Sequence, residues 1–141
     1  MYFVATMKEA GAALKGDREV VLVACNQNGY WGLMRASTAL KADREVVLAA
    51  CNQDGRALQF ASGALKGDRE VVRVACKQDG NALFYASARV KDDREVVRIA
   101  CKQDGYALKW APVALKDDRE IVLVACKQEG WAFQFASATL K

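Results

Sequence analysis

Histidine is absent from all 141 residues, which removes the most common general base and the imidazole ligand of most zinc sites. No CxxC pair offers a thiolate cluster in its place, and the glycines stand apart instead of forming a phosphate-binding loop. No apolar run approaches the ~18–20 residues that a bilayer crossing requires. The longest, VVLVAC from Val20 to Cys25, is a core-sized piece, so no membrane span is expected. A single proline, set among 52% hydrophobic residues, excludes the proline-rich polar usage of a disordered chain. The opening MYFVATMKEAGAALKGD lacks the apolar middle and cleavage site of a secretory signal, and also the arginine-rich, acid-poor character of a transit peptide. The cysteines number five, an odd count. Together these point to free thiols in an intracellular reducing compartment, cytoplasm or organelle interior, and to a chain that is not secreted.

What is present is repetition. DREVVRVACKQDG, from Asp68 to Gly80, has close copies that begin at Asp17, Asp43, Asp93 and Asp118. Cys25, Cys51, Cys76, Cys101 and Cys126 lie 26, 25, 25 and 25 residues apart, so the period is 25 with one insertion between Gly29 and Ser37. The frame gives a half repeat over 1–16 and repeats starting near 17, 43, 68, 93 and 118, forming a single array.

Each repeat reads as two short helices. Asp68 is an N-cap, Glu70 sits in the first turn where the helix dipole favours an anion, and Lys77 lies near the carboxyl end. Gly80 is expected to supply a left-handed C-cap. A shorter helix follows over NALFYAS. Pro112 stands where Ser37, Ser62, Ser87 and Ser137 occur in the other repeats, so that helix should break there, with a brief 3₁₀ turn beyond. At 100° per residue, Val20, Val21, Ala24 and Cys25 share one broad side of the first helix, Val23 flanks it, and Arg18, Leu22 and Asn26 form a narrow strip opposite. So short and so apolar a helix must stack on its neighbours. The expected fold is therefore an all-α solenoid of two-helix repeats, about five and a half of them. The aromatic at Phe60, Tyr85, Trp110 and Phe135 is expected to lock adjacent layers.

The unit DREVVLAAC(K/N)Q(D/N)GxALxFASxxLK resembles the repeat of the domain of unknown function 4116 family, from about Ala10 onward. That family commonly carries valine or a similar small apolar residue at the cysteine position, which implies a buried site. The resemblance implies the helical-repeat fold and brings no activity. Geometry points the same way for the thiols. Equivalent positions in stacked helices should lie about 8–10 Å apart, beyond the ~7 Å Cα separation that an unstrained disulfide tolerates. No metal or cofactor is expected.

Because almost every polar residue has four counterparts, a singular catalytic site is not expected. The chain reads as a non-catalytic protein-binding scaffold or accessory subunit of a larger assembly. Its candidate partner surface is the exposed strip of the first helices. In two successive repeats the strip is Arg69, Arg73, Lys77 and Arg94, Arg98, Lys102, bordered by Leu22, Leu48 and Leu123. An acidic partner would suit it, unless Glu70 and Glu95 neutralise Arg73 and Arg98 three residues on.

The alternative reading is modular single-stranded nucleic-acid binding. Tyr30, Arg56, Asn81, Tyr106 and Trp131 vary at one position per repeat, beside a lysine ladder at Lys15, Lys41, Lys66, Lys91, Lys116 and Lys141. A net charge of only +4 weighs against it. The apolar ends, MYFVATM and WAFQFASATLK, are expected to be covered by self-association or by the larger assembly.

Overall fold

A computed structural model describes residues 12–141. The MYFVATM segment and most of the expected half repeat lie outside these residues.

The all-α solenoid read from the sequence is what the chain forms, but each layer has three pieces instead of two. A ten-residue α-helix comes first, at Arg18–Gln27, Arg44–Gln53, Arg69–Gln78, Arg94–Gln103 and Arg119–Gln128. A six-residue 3₁₀ helix follows at Gly55–Phe60, Gly80–Tyr85, Gly105–Trp110 and Gly130–Phe135. A four-residue α-turn at Thr38–Lys41, Gly63–Lys66, Ala88–Lys91 or Val113–Lys116 then leads to the next layer.

Local signals set these boundaries. The Asp68 carboxylate accepts from the Glu70 and Val71 amides at 3.0 and 3.2 Å, satisfying donors that the helix start leaves unpaired. Ser37, Ser62 and Ser87 cap the short α-turns in the same manner. The break expected at Pro112 is therefore common to all the layers. What proline changes is the donor: Ser62 and Ser87 give their N–H to the carbonyls of Lys41 and Lys66 in the preceding layer at 3.0 Å, and Pro112 has no N–H to give.

The glycine after each long helix does not serve as a left-handed cap. No glycine among the described residues has positive φ. The long helix ends instead on an extended residue, Asp79 at φ −149°, whose own carboxylate caps the 3₁₀ helix by accepting from the Asn81 amide. Gly80 is required by proximity. A Cβ there would lie 2.3 Å from the carbonyl oxygen of Ala100 in the next layer, and the same holds for Gly55 against Ala75 and Gly105 against Ala125. Only a residue without a side chain admits so close an approach.

The insertion in the first repeat is absorbed by winding. Gly29–Arg35 is a seven-residue α-helix where the other layers have six residues of 3₁₀ helix. At about 3.6 and 3.0 residues per turn, both make two turns and deliver the chain to the same place.

One apolar core runs through the stack. In the interior layers both valines of the long helix, its alanine and its cysteine are fully buried, as at Val71, Val72, Ala75 and Cys76. The knob between layers is the leucine of the second element, with Leu33, Leu58, Leu83 and Leu108 all at 0% exposure. Burying each stabilises the fold by roughly 1.5–3 kcal/mol. The aromatics expected in that role are only partly buried and seal the edge. Trp110, for example, packs against Phe84 of the preceding layer with ring centroids 4.6 Å apart.

Candidate docking surface

The exposed strip of the long helices contains a device that local pattern does not reveal. The arginine that follows each cap aspartate reaches across to the cap aspartate of the next layer. Arg18 Nε lies 2.8 Å from Asp43, Arg44 2.9 Å from Asp68, Arg69 2.6 Å from Asp93 and Arg94 2.7 Å from Asp118. In three of these pairs the guanidinium also meets the following glutamate at 3.1 Å, Glu45, Glu95 or Glu120. The Arg44 guanidinium holds the Asp68 carboxyl below the usual carboxylate range, and Arg18 and Arg94 do the same to Asp43 and Asp118. The arginines of these pairs are half-exposed, so solvent screening leaves each pair little weight in stability. Their more important effect is to fix the register in which one layer meets the next.

The six-cation strip divides accordingly. Arg69 and Arg94 are neutralised by the following layer. Arg73 pairs with Glu70 at 3.2 Å, as its spacing suggests. Arg98 departs from the expected pairing: Glu95 turns back to Arg69, and the Arg98 guanidinium faces Glu120 at 3.7 Å, too far for a strong bond. Lys77 and Lys102 are exposed, with no carboxylate in salt-bridge range among the described residues. Together with Arg98, Ile99 and Gln103 they line a shallow groove of about 350 Å³, with three cations and no carboxylate in its wall. Leu22 and Leu48 are half-buried toward one end of the array, and Leu123 is 40% exposed toward the other.

The variable positions lie on a different edge, and most are occupied with their own neighbours. Arg56 forks onto Asp54 at 2.6 Å and covers the Tyr30 ring at 5.0 Å. Tyr30 packs edge-on against Phe60, 5.0 Å between centroids. Asn81 donates to Asp104 at 2.7 Å and accepts from the Trp110 indole at 3.2 Å. Tyr106 packs against Phe135. Trp131 stands furthest out of the aromatic ones, at 73% exposure, and Arg56 and Tyr106 are exposed as well. The lysine ladder is folded in as well: Lys15, Lys41, Lys66, Lys91 and Lys116 are half-buried, and Lys41 and Lys91 lie over the rings of Phe60 and Phe84.

All five cysteines are free thiols. Burial pushes Cys25, Cys51, Cys76 and Cys101 up to about 12, far from the thiolate that nucleophilic or redox chemistry requires. No cluster of metal-ligating side chains occurs among the described residues, and no helix there is long and apolar enough to cross a membrane.

Comparison with known proteins agrees with the layer geometry. A family described only as a domain of unknown function (DUF4116) matches residues 17–66, 43–91, 68–116 and 93–141. The chain belongs to the DUF4116 family. Each match spans two consecutive repeats, so the DUF4116 unit is a pair of stacked layers, the smallest piece that contains the arginine–aspartate clamp and the buried glycine contact. No curated protein and no solved structure matches the chain.

Proposed function

We propose that this chain is a non-catalytic repeat scaffold whose Lys77–Arg98–Lys102 groove docks an acidic segment of a protein partner. The observation that carries the reading is the contrast along one face: the first arginine of successive layers is neutralised by the layer that follows, whereas in the groove Lys77 and Lys102 have no carboxylate in range among the described residues and Arg98 is held only at 3.7 Å by Glu120, with Ile99 beside them. Uncompensated charge beside apolar surface is the complement of an acidic, partly apolar peptide. Repetition of the polar groups and suppression of the thiols support the absence of catalysis. The nucleic-acid alternative is served less well, because four of the five variable side chains are tied to neighbouring residues of their own chain.

A direct test titrates a fluorescent peptide rich in glutamate and leucine, and separately a single-stranded RNA of equal charge, against the protein. The expected result is tighter binding of the peptide. Because Lys77 and Lys102 are exposed, Lys77→Glu with Lys102→Glu leaves the fold intact and weakens peptide binding by about tenfold or more. RNA binding tighter than the peptide, with linear salt dependence, would put the alternative in its place.

A further inference from the structure

Two departures from the repeat coincide in the middle of the array. Asn81 is the one small side chain at the variable position, where Tyr30, Arg56, Tyr106 and Trp131 are large. Phe84 stands where the flanking layers carry the polar Gln59 and Lys109, and it is 48% exposed. Beside them is a hollow of about 330 Å³ whose wall includes Arg56, Asp79, Asn81, Phe84, Tyr85 and Trp110. These residues belong to the second, third and fourth layers, each with a described layer on either side, so the hollow owes nothing to the ends of the array. Elsewhere on this edge a tyrosine covers the ring of the following layer, Tyr30 on Phe60 and Tyr106 on Phe135. Tyr85 receives no such cover among the described residues, because Arg56, which holds the tyrosine's place, turns back onto Asp54 and the Tyr30 ring. Phe84 meets Tyr85 edge-on at 5.2 Å and Trp110 at 4.6 Å. Asp79 is unmatched in a second respect. Its equivalents have side-chain donors, Asp54 from Arg56 at 2.6 Å and Asp104 from the Asn81 amide at 2.7 Å. Asp79 accepts the Asn81 backbone N–H with one oxygen, and its other oxygen has no donor among the described residues.

We propose that this hollow binds an aromatic side chain of a protein partner that carries a hydrogen-bond donor, the phenol of a tyrosine or the indole of a tryptophan. The chain supplies its own template, since a tyrosine covers the equivalent ring in two other layers. At about 330 Å³ the hollow lies at the small end of the ~300–1,000 Å³ range of ligand sites, which suits one ring system. An incoming ring buries the open surface of Phe84 and Tyr85, and edge-to-face contact with them rewards an aromatic over an aliphatic side chain. Its O–H or N–H gives the unmatched Asp79 oxygen a donor, and a bond to a carboxylate is stronger than one between neutral groups. The same carboxylate disfavours a nucleobase, whose strand brings phosphates toward it. Neither Lys77 nor Lys102 lines this hollow, so it stands or falls independently of the docking groove.

Nitrogen-15 NMR of the full chain tests this, read at the Trp110 indole N–H and the Asn81 side-chain amide. N-acetyltyrosinamide and N-acetyltryptophanamide at millimolar concentration should shift both signals saturably, and N-acetylleucinamide should bind about threefold or more weakly. Arg56→Tyr is the decisive variant, because it gives this layer the residue that Tyr30 and Tyr106 already provide in theirs and covers Tyr85 from within the chain. It should keep the wild-type melting midpoint and abolish the shifts. Phe84→Gln installs the side chain found at Gln59 and Gln134 and should weaken binding by about tenfold. Asp79→Asn retains the cap, as Asn28 shows in the first layer. It should weaken N-acetyltyrosinamide by about two- to tenfold and leave N-acetylphenylalaninamide unchanged. No saturable shift, N-acetylleucinamide bound as tightly as N-acetyltyrosinamide, or binding indifferent to Arg56→Tyr would overturn the proposal. Adenosine monophosphate bound more tightly than the aromatic amides would overturn it in favour of a nucleobase site.

Discussion

Leu83 and Phe133 hold equivalent places in their layers, yet one is sealed at 0% exposure and the other is 48% exposed. Gly80 and Gly130 form a second such pair, with a carbonyl pressed against the first and open space beside the second. Cys76 and Cys126 form a third, buried and half-buried respectively. In each pair the local sequence is nearly the same and the long helix forms the same way. The difference lies wholly in whether another layer follows. In this fold a residue's energetic role is therefore set by a neighbour about 25 positions away, as expected of an array stabilised by nearest-neighbour interfaces.

Alkaline pH should separate the members of this comparison most widely. A thiol whose pKa is higher folded than unfolded stabilises the fold fully below its unfolded value, 9.0, and loses that contribution as pH rises toward the folded value of about 12. Each interior thiol then removes about 1.4 kcal/mol per pH unit in that window, so four of them remove several kcal/mol together. Urea unfolding at rising pH measures this, and Cys76→Ala should flatten the curve by one thiol's share while Cys126→Ala changes it less. Thiol-reagent labelling of the native protein should modify Cys126 first.

Next in size is the leucine knob. Leu83→Ala opens a cavity between two layers and should cost about 2–5 kcal/mol, whereas Phe133→Ala should cost about 1 kcal/mol, since half of its surface already faces water. Equal costs at the two sites would erase the distinction between interior and end. The glycines give the smallest effect and the sharpest one. Gly80→Ala forces two backbones apart and should cost about 1–3 kcal/mol, while Gly130→Ala should fall within about 0.5 kcal/mol of wild type.

The wheel placed Val20, Val21, Ala24 and Cys25 on the buried side; Val21, Ala24 and Cys25 are buried and Val20 is half-buried, while the equivalent four residues of an interior layer, Val71, Val72, Ala75 and Cys76, are all buried, because a helix face depends only on a fixed angle per residue. Asp68 was legible as a cap for a similar reason, the amide donors that it accepts from lying two and three residues on. Gly80 was misread as a left-handed cap because its constraint comes from Ala100 and not from its own dihedral angles. The aromatic ladder was given the leucines' role because its recurrence shows that it packs without showing how deeply. The candidate surface was only partly legible. Arg69 reads from the sequence as one more exposed cation, and nothing in DREVV indicates that it is bonded to Asp93, whereas Lys77 and Lys102 look no freer than the rest.

By itself the sequence determined the period, the long helices, their N-caps and the buried face of each, because each rests on interactions within about a dozen residues. Tertiary structure alone decided which cations are paired across layers, why a glycine must follow each long helix that another layer covers, and how exposed the last described layer is. Those properties arise from groups that meet only after one layer has settled on the next, and the distance between two backbones is not written in the local sequence of either.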